Sequence, residues 1–368
     1  MQEHLYQTDI NIKDLENVAI ILLQKLVSIP SFSTEEESTA EAILDFLKSY
    51  SVSGKRKLNN VWAVNKHFSE NKSTIILNSH HDTVKPNRGY TRDPFSPSIM
   101  DGKLFGLGSN DAGAALVSLL ASFIYFYDKE LKYNLVIAAT SEEEISGQNG
   151  IEALLNDKGF ICHLTGEICA IVGEPTLMQM AVAEKGLMVL DCTARGKAGH
   201  AAREEGTNAI YIANKDISWI ENFVFPKISE LLGPVKMTVT SISTGNKSHN
   251  IIPDECTFIV DIRINELYTF EEVLNIFSTN TLSEAIPRST RLKSSAISKV
   301  HPLVVAGGKL GKASYGSPTT SDMALIPFPS LKIGPGNSAR SHSADEFIYL
   351  DELREGIRSY IEVLKQLL

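Results

Sequence analysis

Cysteine is scarce in this sequence. Four residues in 368 (Cys162, Cys169, Cys192 and Cys256) form no C-x-x-C pair. That excludes a disulfide framework or a thiolate zinc site as the organising feature and leaves four buried or inert thiols. Blocks of basic charge are missing too. The 35 Lys and Arg are outnumbered by 44 Asp and Glu, and the net charge of -9 is spread along the chain. Neither a nucleic acid nor an anionic membrane is therefore expected as a partner; a small molecule is. The start Met1-Gln-Glu-His lacks the basic residues and apolar stretch of a signal peptide, and the apolar run at 18–23 is far too short to span a bilayer. A cytoplasmic protein is expected. Low-complexity tracts, long linkers and internal repeats are absent as well.

What is present is a long, evenly apolar chain. At 368 residues and 43% hydrophobic content it exceeds what one core usually serves, so two domains are expected. Apolar spacing predicts helices over 14–29, closed by Pro30, and 36–50. Short apolar runs at 61–64, 74–78, 134–140 and 168–172 read as strands, separated by helical stretches such as 112–127. This is the order of an α/β domain with a covered sheet. From Gly186 the pattern changes to strand 187–194, helix 208–223, strands 235–242 and 257–264, helix 270–277 and strand 288–293, the split β-α-β-β-α-β order of a ferredoxin-like unit. Residues 184–293 are thus expected as an insertion into an α/β domain formed by 1–183 and 294–368, which closes with an amphipathic helix over 350–368.

The chemistry-bearing residues sit at strand ends. The strand at 74–78 runs into Ser79-His80-His81-Asp82, where period-two alternation places His80 and Asp82 on one face. A ligating imidazole usually donates its second N–H to a carboxylate or carbonyl, which Asp82 can supply; a polar strand end is the plainer reading, and His81, facing the other way, is structural. Gly106-Leu107-Gly108-Ser109-Asn110-Asp111 superficially resembles a dinucleotide loop, but its sixth position is Asp111, whose charge would repel pyrophosphate. A metal-bridging aspartate fits better than that, and an ordinary turn with an acidic helix start fits too. After the strand 134–140 come Ser141-Glu142-Glu143-Glu144. Ser141 with Glu144 makes a capping box; alternatively, adjacent glutamates share the work, one holding a cation and its neighbour moving the proton of a bound water. Glu174 closes another strand before Pro175, where open α/β sheets gather their sites. His342 lies in a loop after Gly334-Pro335-Gly336. Together these are two histidines, three carboxylates and a spare glutamate, a donor set suited to two divalent cations.

Their order along the chain, with Ile29-Pro30-Ser31-Phe32-Ser33, Val172-Gly173-Glu174-Pro175-Thr176, Ala198-Gly199-His200 and Asn250-Ile251-Ile252-Pro253, resembles the co-catalytic zinc peptidases and deacylases. That family includes acetylornithine deacetylase, succinyl-diaminopimelate desuccinylase, aminoacylase and the glutamate-releasing carboxypeptidases. The resemblance implies a zinc-peptidase-like mixed sheet flanked by helices, with a ferredoxin-like lid and dimerisation domain inserted. It implies two divalent cations per chain, zinc first and cobalt second. Asp111 would bridge them, His80 and Glu174 would hold one, and Glu144 and His342 the other. Asp82 would orient His80, Glu143 would be the general base, and His200 would reach across a homodimer to the oxyanion. Asn250 and Arg263 resemble positions that hold substrate. Glu142, where the family more often has aspartate, leaves the glutamate register open by one. A cis peptide between Asp111 and Ala112 is also implied.

Within that family the short insertion resembles enzymes acting on acetylornithine or acylated citrulline and lysine, which points to arginine biosynthesis and an N-acyl amino acid as substrate. Succinyl-diaminopimelate desuccinylase and a dipeptidase are the alternatives. A catalytically inactive binding protein on the same fold would have lost ligands or the base; all are in place here. A nucleotide-binding oxidoreductase is opposed by the missing third glycine.

Overall fold

The computed structural model describes residues 11–203 and 205–368. They divide into two compact units, one formed by residues up to Val182 with Ile297–Tyr315 and Ser321–Leu368, the other by Ala183–Ala296 with Gly316–Thr320.

The larger unit is built on a mixed sheet. The strands Asn134–Thr140, Thr74–His80, Ile168–Val172 and Ser330–Lys332 run parallel, with Thr74–His80 between the first and third and Ile168–Val172 beside the fourth. Asn60–Val64 and Lys55–Lys57 extend one edge antiparallel. All seven residues of Thr74–His80 and of Asn134–Thr140 are buried. That is why these strands read as continuous apolar runs: a sheet covered on both faces has no polar side to alternate with.

The helix Ala114–Phe126 lies against these strands and between the helices Ile12–Val27 and Leu350–Lys365. Twelve of its side chains are buried. The segment Ser109–Phe126 is long and apolar enough to cross a membrane by length and composition, yet 83% of it is buried within the protein; it is the core helix, apolar all round because it is surrounded. Its two serines satisfy themselves locally: the hydroxyls of Ser118 and Ser122 donate to the carbonyls of Ala114 and Ser118 at 2.7 and 2.8 Å.

The smaller unit is a four-stranded antiparallel sheet in the order Lys236–Ser243, Glu255–Ile264, Gly186–Arg195, Glu284–Pro287, with the helices Ala209–Asn222 and Phe270–Asn280 completing the β-α-β-β-α-β order. Burial alternates along Gly186–Arg195 and Glu255–Ile264. The inward set, Met188, Leu190, Cys192, Phe258, Val260 and Ile262, forms one core with Val273 and Phe277, so one face is buried and the other is not.

Two sequence expectations need correction. The last strand is Glu284–Pro287, not 288–293. Ala285 pairs with Cys192 at the sheet edge, the last backbone bond of the ladder is the Arg288 N–H to the Val189 carbonyl at 2.9 Å, and the Arg288 side chain grips Asp191 at 2.7 and 2.9 Å. The capping box at Ser141 does not form either. Glu142 takes a left-handed conformation, only a three-residue turn Glu143–Ile145 follows, and the Ser141 hydroxyl points to Asn60 and Asn149.

Candidate active site

Parallel pairing decides where the acids meet. Four strands that run the same way deliver their C-terminal ends to the same edge of the sheet. Thr74–His80 ends on His80, Asn134–Thr140 leads to Glu143 and Glu144, Ile168–Val172 to Glu174, and Ser330–Lys332 to the loop that carries His342. Asp111 comes from the turn before the core helix, where the Asp111–Ala112 peptide is cis, as the resemblance implies. Gly108 in that turn has φ +76°, and a Cβ there would meet Thr83 Cγ2 at 2.6 Å, so glycine is required.

At this edge Asp111 stands between two histidines. One oxygen, Oδ1, lies 3.4 Å from His80 Nε2; the other, Oδ2, lies 3.9 Å from His342 Nε2. Around His80 Nε2 are Glu143 Oε2 and Glu174 Oε1, each at 3.9 Å. Around His342 Nε2 are the two oxygens of Glu144 at 3.2 and 3.0 Å. The donor atoms of His80, Glu143 and Glu174 lie within 4.8 Å of one another, as do those of His80, Asp111 and Glu144.

His80 Nε2 is buried and hydrogen-bonds to nothing. A buried ring nitrogen without a partner, aimed into a ring of carboxylates, fits a metal ligand. Its other nitrogen, Nδ1, donates to the Asp82 carbonyl at 3.0 Å and lies 3.4 Å from the Asp82 carboxylate. Asp82 braces more than His80. Its oxygens accept the backbone N–H groups of Glu143 and Glu144 at 3.0 and 3.1 Å and the Ser33 hydroxyl at 2.7 Å, fixing the acidic loop from below. Glu142 is turned away, its carboxylate bound by Asn149 and its N–H by Glu36.

The electrostatics are those of too much negative charge in too little water. Burial raises Glu174 to about 8, with Asp111 and Glu144 adding to the shift against His80 and Lys332. Burial likewise lifts Glu143 well above the carboxylate range; His80 opposes this, and Glu174, Asp322 and Glu144 reinforce it. The contact with Glu144 holds His342 up at about 9. Asp82 and Asp111 instead stay low: burial raises both, but His80 beside each of them, with its charge, prevails. Positive charge is what this pocket is short of, and the donor set fits divalent cations. His81 is spent on structure, as its strand position predicts. Burial lowers it to about 4, so it is neutral, with Nε2–H donating to the Asn59 carbonyl at 3.0 Å and Nδ1 accepting from Thr39 at 2.9 Å.

The remaining predicted residues belong to the smaller unit. Gly199–His200 pairs with Ile251–Ile252, and the Ala201 N–H donates to the Asn250 carbonyl, so His200 and Asn250 are neighbours. His200 Nδ1 accepts the Ala202 N–H at 3.1 Å, which leaves the proton of the neutral ring on the exposed Nε2. Arg263 holds Asp261 through Nε and Nη2 at 2.8 and 3.0 Å. The sequence reading misses three acids of the larger unit: Glu36 behind Glu142, Asp322 beneath Thr140 and Glu346 behind the turn 106–111.

Residues 76–366 match the model of peptidase family M20/M25/M40. The chain belongs to that family. It is 24% identical to a succinyl-diaminopimelate desuccinylase from Wolbachia pipientis, over 94% of this chain and 92% of the relative. It is 27% identical to a probable succinyl-diaminopimelate desuccinylase from Staphylococcus epidermidis, over 94% and 98%. Among solved structures, aminopeptidase PepT from Bacillus cereus superposes with a TM-score of 0.74 at 19% identity, covering 98% of this chain and 100% of that one. A dinuclear metal-binding M20 peptidase from Bacillus subtilis gives 0.71 at 16%, over 96% and 98%. The M20 fold and its mixed α/β architecture are therefore those expected, and the chain is a metal-dependent hydrolase of amide bonds.

Proposed function

We propose that this M20 enzyme removes the acyl group from a small N-acyl amino acid with two divalent cations, zinc or alternatively cobalt. The observation that carries this reading is the Asp111 carboxylate, whose two oxygens each face a different histidine. His80 and Glu174 would hold one cation, Glu144 and His342 the other, and Asp111 both. When bound, the cations polarise the scissile carbonyl and make a water acidic enough to lose its proton near neutral pH.

The chain's own residues do the rest. Glu143, beside His80 and Glu174, accepts the proton of the attacking water and hands it to the leaving amine. Asp82 holds both His80 and the Glu143–Glu144 backbone in place. With Glu142 committed to Asn149, the geometry favours Glu143 as base and Glu144 as ligand. His200, from a second copy of the chain in a homodimer, donates Nε2–H to the oxyanion. Asn250 and Arg263 hold the substrate. A cytoplasmic setting suits such a substrate.

The chain is expected to contain close to two zinc or other divalent ions, and chelation should abolish amide hydrolysis reversibly. Full activity of a metal-free preparation would end this reading.

On the choice of substrate, similarity to succinyl-diaminopimelate desuccinylases favours an N-succinyl diamino acid, and lysine rather than arginine biosynthesis, over the acetylornithine or acylcitrulline that the sequence alone suggests. A panel of N-succinyl and N-acetyl amino acids and dipeptides tests it. The expected outcome is a kcat/KM for N-succinyl-diaminopimelate at least about tenfold above that for N-acetylornithine; the reverse ranking restores the deacetylase.

Arg263→Ala should raise KM for a substrate with a free α-carboxylate far more than for its amide, because one of the two lacks the bidentate partner. Asp261 already occupies two of the guanidinium donors, so equal effects on both substrates would make the Arg263–Asp261 pair a brace of the sheet.

A further inference from the structure

The turn 106–111 spells out a phosphate-type loop, yet the anion it encloses belongs to the chain itself. Glu346 is 2% exposed. Its Oε1 accepts the N–H groups of Asn110 and Asp111 at 2.8 and 2.9 Å, and its Oε2 that of Gly108 at 3.1 Å. Its own backbone carbonyl accepts the Gly106 N–H at 2.9 Å. Backbone N–H groups converging on one point form a nest for an anion; here a glutamate 235 positions downstream fills it. No Lys or Arg among the described residues pairs with it.

We propose that Glu346 is a positioning residue of the metal centre: it closes the loop that carries Asp111 and so fixes where that carboxylate points. Three features support this. First, Oε1 binds the N–H of Asp111 itself, so the backbone of the shared ligand is tied directly to the buried carboxylate. Second, the Glu346 oxygens already occupy the nest, so the Asp111 side chain cannot fold back onto these N–H groups and is left facing His80 and His342. Third, Glu346 sits four residues after His342 on one anchored segment. Asn110 exchanges hydrogen bonds with the Asn337 backbone at 2.9 and 3.1 Å, Asn87 Nδ2 donates to the His342 carbonyl at 3.0 Å, and Asp345 accepts the N–H groups of Thr91 and Arg92 at 2.9 and 3.0 Å. The same segment therefore presents His342 and sets Asp111, the two ligands that face each other at 3.9 Å.

The proposal rests on the metal reading above, and its test separates the two. Zinc affinity of the metal-free full-length chain is measured by competition with a chromophoric chelator, alongside kcat, KM and the melting temperature without metal. Glu346→Gln keeps the shape of the side chain but turns an N–H toward donors that need an acceptor. Zinc affinity and kcat should each fall roughly 10–100-fold, the range for removing a partner that orients a ligand, while KM stays within about twofold. Glu346→Asp, which keeps the charge one methylene short, should recover part of the zinc affinity, and it is the variant to read where the glutamine does not fold. Wild-type zinc affinity in whichever variant folds, or a loss confined to the melting temperature, overturns the positioning role. A wild-type chain that binds no zinc sinks the metal reading, and the proposal with it.

Discussion

Glu143→Gln is expected to lower kcat by about 10²–10⁴-fold while the chain still binds two cations, because the change removes a proton acceptor without removing a ligand. The geometry makes the test sharp. Glu143 and Glu144 are adjacent in sequence and both have their N–H groups fixed by Asp82, at 3.0 and 3.1 Å, so neither can easily take the other's place. Glu143 faces His80 at 3.9 Å, whereas both oxygens of Glu144 face His342 at 3.2 and 3.0 Å. Glu144→Gln should therefore lose metal as well as turnover. Kinetics alone cannot distinguish the two variants; counting bound metal beside kcat does. A glutamine at 143 that lowers the metal count, with one at 144 that does not, would exchange the two roles.

The second large effect tests the proposed homodimer. His200→Ala alone should cost about 10²–10³ in turnover, the usual loss of one oxyanion donor. Mixed with Glu143→Gln, it should regain activity once subunits exchange. In a heterodimer one site has an intact Glu143 from its own chain and an intact His200 from the other, and the second site has neither. With random reassortment half the dimers are mixed and each has one good site of two, so activity should climb to about a quarter of wild type. The local structure suits the role: with Nδ1 accepting from Ala202, His200 keeps an N–H on the exposed side of its ring. No recovery after proven exchange would confine His200 to its own chain or remove it from the reaction.

Much of this centre could be read from the sequence because its parts lie at strand ends, and strand ends are marked by the change from apolar run to polar residues. His80, Glu143, Glu144 and Glu174 each follow such a run directly. The α/β order and the inserted β-α-β-β-α-β order were legible for the same reason. The braces were not. Glu36 reaches Glu142 across 106 positions and Glu346 reaches Asp111 across 235; neither sits in a pattern that short-range spacing can reveal, and both act through backbone N–H groups, which every residue has. Ser141 misled in the opposite sense. Its spacing to Glu144 is that of a helix cap, but Asp82 claims the Glu144 N–H and Asn60 the Ser141 N–H that a capping box would use, so tertiary contacts override the local preference. The last strand of the smaller unit slipped because an edge strand of four residues carries too little alternation to locate itself.

The insertion also imposes an order in time. His80, Asp111, Glu143, Glu144 and Glu174 all precede the smaller unit in the chain, whereas His342 and Glu346 follow it. A ribosome therefore delivers four proposed ligands and the proposed base, then the whole insertion, then the last histidine, 198 positions after Glu144. At about 5–20 residues per second that lag is on the order of ten seconds. During it the acidic pocket lacks the imidazole that faces Glu144 and the carboxylate that closes the Asp111 loop. On the proposed ligand set, the nascent hydrolase would lack a complete metal centre until His342 has been made.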